Sequence, residues 1–129
     1  MDYTIQLMED QGSVIVRASG DWDAQADDAM IQQIMEVVEA GKGRKILLDL
    51  RHLHFQLPLI HFFERAVELQ KQRRQHVSVS TRAAILCMTG DQKFEESVSF
   101  FETAARNRDL PYRIFKEEAQ AMAWLMEAG

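Results

Sequence analysis

Three histidines stand close together in the middle of this chain of 129 residues and could bind a metal ion. His52 and His54 are separated by one residue, and His61 follows within the next turn or two of chain. With Asp21 or Asp91 added, they would supply the nitrogen and oxygen ligands that zinc and iron accept. Their spacing matches no established metal signature, and apolar residues lie between them. We therefore expect loop histidines that cap backbone groups, and neither a metal nor another cofactor.

Side chains for nucleophilic catalysis are present but poorly placed, since such catalysis needs a Ser, Thr or Cys beside a base. Ser78, Ser80 and Thr81 come just before a predicted strand, and the chain has no Gly-x-Ser-x-Gly motif. The single Cys87 lies in an apolar run, where a small buried side chain is expected. Adjacent acidic residues such as Asp27-Asp28 diverge toward solvent on a helix. The sequence therefore predicts a protein that is not an enzyme.

Charge and composition narrow the class of protein further. The net charge of −5 argues against nucleic-acid binding, which needs a basic surface. Residues 1–41 carry nine acids and one Arg, net −8, and residues 42–82 carry nine bases and three acids, net +6. Apolar residues make up 47% of the chain, but no run reaches the roughly 18 needed to span a membrane. We expect one cytoplasmic domain over residues 1–129, with charge asymmetry that could orient a partner.

Hydrophobic periodicity predicts the order β-β-α-β-α-β-α-β-α, which indicates an α/β domain with about four helices. Strands that alternate with helices favour parallel crossovers, so we expect a mostly parallel five-stranded sheet. Its antiparallel N-terminal strand should lie at or near an edge. Gly20 is expected to end the second strand, and Asp21 or Asp23 to cap the first helix. The predicted strands are Tyr3–Leu7, Val14–Ser19, Lys45–Leu50, Arg82–Met88 and Tyr112–Phe115.

The loops after the carboxyl ends of parallel strands are where ligands of such sheets bind. The segment from Phe55 to Phe63 lies there and is unusually apolar for a loop and first helical turn, so something must cover it. A protein partner, a second copy of the chain or a hydrophobic small molecule could provide that cover. The predicted ligand- or partner-binding residues are Asp21, Trp22, His52, His54, Phe55, Leu57, Ile60, His61 and Asp91.

Several segments resemble those of a known family. Val14–Asp23 resembles the second strand and Gly-acidic turn of STAS domains, and Lys45–Phe55 resembles the strand that enters their signature loop. Phe100–Arg108, Tyr112–Phe115 and Ala121–Leu125 are similar to the SpoIIAA-like subgroup. The resemblance covers nearly the whole chain and implies a single STAS/SpoIIAA-like domain.

The same resemblance leaves two hypotheses for function. Anti-sigma-factor antagonists of the superfamily carry an Asp-Ser pair that a kinase phosphorylates, but Leu57-Pro58 stands at those positions. The first hypothesis is thus a non-catalytic regulatory or protein-interaction module without that switch, which binds a partner or itself. Some SpoIIAA-like members resemble CRAL-TRIO lipid-transfer domains, so the alternative is a small carrier or sensor of a lipid or other hydrophobic ligand.

Overall fold

A computed structural model describes residues 1–40, 45–54, 82–87 and 112–127, together with individual positions between 96 and 107. Five strands and two α-helices have defined bounds in these ranges. A short 3-10 helix, Glu9–Gln11, connects the first two strands. The elements are β1 (Asp2–Met8), β2 (Ser13–Asp21), α1 (Ala24–Glu39), β3 (Lys45–His54), β4 (Arg82–Leu86), β5 (Tyr112–Phe115) and α2 (Glu118–Met126).

The five strands form one sheet in the order β1-β2-β3-β4-β5. β1 is antiparallel to β2, and every other neighbouring pair is parallel. The hairpin between β1 and β2 turns at Gly12, whose φ of +63° is in the left-handed region that glycine adopts without a steric penalty. The predicted mixed sheet, with its antiparallel first strand at an edge, is confirmed.

Alternate residues of each strand point to opposite sides of the sheet. Helices cover both faces. On one face, Val14 and Val16 of β2 pack with Met30, Ile34 and Val38 of α1. These residues lie at the helical spacing that places them on one stripe of α1, and all five are buried.

The opposite face of the sheet packs against α2. Leu47 of β3 and Leu86 of β4 form a second buried cluster there with Ala121 and Leu125. α2 follows directly after β5, so its first turn lies at the carboxyl end of the parallel strands. Any charged side chain of that turn is therefore brought toward the ends of β2 and β3.

Two strands run further than the sequence predicts. β2 continues through Gly20, which has φ +89°, to Asp21, and β3 continues past Leu50 to His54. A bulge makes this extension possible: Arg17 pairs with Asp49 but Ser19 pairs with His52. The predicted end of β2 at Gly20 is wrong, because a glycine with positive φ adjusts the backbone without ending the ladder.

The helix predictions are confirmed in part. Asp23 caps α1, and its Oδ1 accepts hydrogen bonds from the backbone N–H of Gln25 at 2.8 Å and of Ala26 at 3.3 Å. The predicted helix after Pro58 lies outside the described residues. The described positions between Glu96 and Arg106, in the predicted third helix, are helical. None of the described helices is long and apolar enough to cross a membrane.

Candidate interaction site

Three of the predicted binding residues meet where β2 and β3 end. Asp21 is the register partner of His54, and His54 Nδ1 lies 3.5 Å from Asp21 Oδ1. The backbone N–H of Trp22 donates to the carbonyl oxygen of His54 at 2.9 Å. His52 lies two residues back along β3, opposite Ser19. The structure thus brings the four described candidates to one end of the sheet.

These histidines lie on a strand, so the prediction that they are loop residues is wrong. Leu53 is buried in the cluster beneath α1, and His54, the next residue along β3, therefore points to the opposite face. The imidazole of His54 contacts the Asp21 carboxylate rather than a backbone group. With side chains 80% and 94% exposed, this pair contributes little to folding stability and remains accessible to a partner.

The ends of β2 and β3 project beyond the rest of the sheet. Pairing between β3 and β4 stops at Asp49 with Leu86, whereas pairing between β2 and β3 continues to Asp21 with His54. We call the two paired segments Ser19–Asp21 and His52–His54 the β2–β3 ribbon. Within the described part of the chain, no strand neighbours the ribbon on its β4 side.

The remaining predicted binding residues cannot be placed. Phe55, Leu57, Ile60, His61 and Asp91 lie outside the described residues. Their participation in an apolar binding surface stays a prediction. The ribbon nevertheless leads directly into the segment that contains four of them, because β3 ends at His54.

A cluster of four charged residues lies beside the ribbon and was not predicted. Asp49, only 2% exposed, accepts a hydrogen bond from Arg17 Nη1 at 2.6 Å. Arg51 donates to it from Nε and Nη2, each at 2.9 Å, and from its backbone N–H at 3.1 Å. Glu118, the first residue of α2, accepts from Arg17 Nη1 at 2.9 Å and Arg51 Nη2 at 3.3 Å. Two cations thus face two anions, and we call these four residues the Asp49 cluster.

The cluster holds its buried carboxylate in the ionised state. Burial by itself raises the pKa of Asp49, but the hydrogen bonds from Arg51 and Arg17 outweigh burial and hold that pKa at about 2. The hydrogen bond to Glu118 raises the pKa of Arg17, and the hydrogen bond to Asp49 raises that of Arg51. Its contacts link β2 and β3 to the first residue of α2, so the cluster positions α2 on the sheet.

The ionisation of Asp49 predicts how stability depends on pH. Its pKa in the folded protein, about 2, lies below the ordinary 3.8, so the stabilisation is complete above about pH 4 and is lost as the pH falls toward 2. That shift corresponds to about 2 kcal/mol of unfolding free energy. We expect urea denaturation between pH 5 and pH 2 to show this loss in the natural protein but not in Asp49→Asn. Equal pH dependence in the two proteins would contradict the assignment.

Other candidate chemistry is limited in the described part of the chain. Cys87 is buried, as predicted, and its backbone N–H donates to the carbonyl of Phe115 at 3.0 Å. Within the described ranges, no three His, Cys, Asp or Glu side chains converge in a way that could hold a metal ion.

Comparison with known proteins identifies the family. The SpoIIAA-like family model matches residues 13–126, and the chain belongs to this family. The anti-sigma factor antagonist SpoIIAA in its unphosphorylated form is 15% identical and superposes with a TM-score of 0.62, covering 98% of this chain and 100% of its own. The Bacillus cell fate determinant SpoIIAA in its phosphorylated form is 15% identical with a TM-score of 0.59, covering 95% and 98%.

An anti-sigma factor antagonist from Mycobacterium paratuberculosis is 16% identical with a TM-score of 0.57, covering 98% of this chain and 96% of its own. No curated protein sequence matches the chain. At these identities the solved structures show a shared fold. The predicted single α/β fold of the STAS and SpoIIAA-like type is therefore confirmed.

Proposed function

We propose that this chain is a non-catalytic regulatory module of the cytoplasm that binds a protein partner with the β2–β3 ribbon and the apolar segment after it. The projection of the ribbon past the last β3–β4 pair is the observation that supports this proposal most directly. It exposes Asp21 and His54 and leads into the apolar residues from Phe55 onward. A polar margin beside an apolar patch is a common composition of protein interfaces.

The charge state of the Asp49 cluster supports a role other than catalysis. A general acid or base works best when its pKa lies near the working pH. Asp49 has a pKa of about 2 and is enclosed by two arginines, so it is suited to holding α2 in place. A firmly held α2 keeps the surface beside the ribbon in one shape, which lowers the entropic cost of binding.

We further propose that this module lacks the phosphorylation switch of its relatives. One solved relative is described as SpoIIAA in a phosphorylated form. In this chain Leu57-Pro58 replaces the Asp-Ser pair, and no Ser, Thr or Tyr occurs from Arg51 to His61. Control of partner binding must then act through another residue or through the amount of protein present.

Native mass spectrometry of the protein purified from its own cells tests the proposal. We expect a co-purifying protein, and we expect Asp21→Ala/His54→Ala to lower its amount about fivefold, because contacts at the polar margin of an interface contribute about 1 kcal/mol. Gln25→Ala/Gln32→Ala alters exposed residues of α1 and is the matched control. Circular dichroism establishes that each variant is folded.

A photo-crosslinking amino acid introduced at position 54 tests where on the chain the partner binds. We expect it to capture the partner, while the same residue at position 32 on α1 does not. A protein that retains a small hydrophobic molecule and no protein partner would contradict the proposal and favour the alternative, a carrier or sensor of a lipid. That alternative relies on the same apolar residues between 55 and 63.

A further inference from the structure

β1 is an edge strand with features that favour pairing with another strand. It has seven residues, contains no Pro or Lys, and pairs with β2 without a bulge. Natural proteins commonly protect exposed edges with such residues or with irregular backbone. No described residue outside β2 makes a backbone hydrogen bond to β1. The edge is therefore a template for an additional strand.

The hydrogen bonding of β2 decides which groups of β1 point outward. The N–H of Lys45 in β3 donates to Gly12 O, and alternation along the parallel ladder then directs Val14 and Val16 toward β3. Ser13, Ile15 and Arg17 are directed toward β1, where they pair with Met8, Gln6 and Thr4. The backbone groups left pointing outward from β1 belong to Tyr3, Ile5 and Leu7.

These groups are self-complementary in one antiparallel register. If Ile5 pairs with Ile5 of a second copy, Tyr3 pairs with Leu7 at both ends of the strand. Each of the three pairs then exchanges two hydrogen bonds, so every outward N–H and C=O of β1 is satisfied. A two-fold axis through Ile5 relates the copies, as in the commonest class of homodimer.

The side chains of β1 are also compatible with the antiparallel register centred on Ile5. Tyr3, Ile5 and Leu7 are half-buried against the α1 side of the core, so both copies would place apolar side chains on one face. Thr4 would stand opposite Gln6 on the other face, where both are exposed. The only charged residue of β1, Asp2, would stand opposite Met8, which avoids a pairing of like charges.

The other edge of the sheet is protected. The backbone N–H of Ile114 in β5 donates to Glu102 Oε2 at 2.8 Å, and Glu102 Oε1 also accepts from Arg106 at 2.9 Å. A strand that approached β5 would have to displace this carboxylate. Pairing of β1 with β5 of another copy, which would build a filament, is therefore disfavoured relative to pairing of β1 with itself.

We propose that two copies of this chain associate through their β1 edges, in the register centred on Ile5, to form one continuous ten-stranded sheet. This association involves neither the β2–β3 ribbon nor the partner proposed for it. It leaves the ribbon of each copy free to bind that partner.

Charge substitution on β1 tests the interface. Thr4→Lys/Gln6→Lys places lysines opposite lysines across the axis while changing only exposed side chains. Native mass spectrometry should show the mass fall from twice the chain to a single chain of 14.9 kDa. Mixing this variant with Thr4→Glu/Gln6→Glu should restore a dimer that contains one copy of each. Gln25→Lys/Gln32→Lys adds the same charge on α1 and should remain dimeric.

Amide hydrogen exchange of the natural protein provides a test that needs no variant. In the dimer, the amides of Tyr3, Ile5 and Leu7 should exchange as slowly as those of Thr4 and Gln6. Dilution to the monomer should speed the first three roughly tenfold or more and leave the others slow, because only the others bond within the monomer. A natural protein that is monomeric, a lysine variant that stays dimeric, or fast exchange of the three amides in a dimer would overturn the proposal.

Discussion

Replacement of Asp49 by alanine should lower the free energy of unfolding by about 2–3 kcal/mol, because the hydrogen bonds of a buried carboxylate are lost while the arginines it leaves are partly exposed to solvent. The carboxylate is 2% exposed and accepts hydrogen bonds from both Arg17 and Arg51. Without it, two cations would face each other at the first turn of α2 with only the exposed Glu118 between them. Urea denaturation at pH 7 measures the change.

Two further variants separate the contribution of charge from that of packing. Asp49→Asn keeps the size of the side chain but removes its charge, so it should lie between the natural protein and Asp49→Ala. Glu118→Gln should cost about 1 kcal/mol or less, because that carboxylate is 40% exposed. A loss below about 1 kcal/mol for Asp49→Ala would mean that the arginines find other partners, and would contradict a structural role for the cluster.

Replacement of Trp124 by alanine should lower the free energy of unfolding by about 3 kcal/mol, at the low end of the range for deletion of a large aromatic side chain. Trp124, in α2, is only half-buried. We therefore expect a smaller loss of unfolding free energy than for a fully buried tryptophan. Its ring lies 5.8 Å from that of Phe115, and the guanidinium of Arg82 lies 5.1 Å above it. Deletion removes both contacts and part of the packing against the sheet.

Trp124→Phe is the matched control because it retains an aromatic ring at the same position, and it should cost about 1 kcal/mol. The hydrogen bond from Arg82 Nη1 to the carbonyl of Trp124, at 3.1 Å, does not depend on the side chain and persists in both variants. Thermal or urea unfolding of the three proteins gives the comparison. Equal losses for Phe and Ala would show that the indole itself, rather than aromatic packing, stabilises α2.

The local pattern of apolar and capping residues was sufficient to predict the hairpin and the start of α1. Alternation in Tyr3–Leu7 and Val14–Ser19 predicted the hairpin, because the side-chain period of a strand is two and one face must be buried. Asp23 was one of two predicted caps for α1, since a short carboxylate beside a helix start bonds the exposed amides. The alternation of strands with helices restricts the allowed connections, and it predicted a mostly parallel sheet with its antiparallel first strand at or near an edge.

The site depended on contacts between residues that are far apart in sequence. Asp49 interrupts an apolar strand and is followed two residues later by Arg51, a pattern that calls for a buried partner. Nothing local to that strand indicates Arg17, 32 residues away, or identifies Glu118 as the other anion.

The length of the ribbon likewise depended on its neighbour. Arg51–His54 has too few apolar residues to predict a strand by itself, but β2 supplies hydrogen bonds that continue past the bulge. The sequence by itself thus determined the order of elements along the chain and the faces that are buried, because these follow from short-range periodicity, while the resemblance of its segments indicated the family. Only the tertiary structure decided that His52 and His54 lie on a projecting strand and that Asp49 is held ionised, because both result from backbone pairing and charge contacts between distant segments.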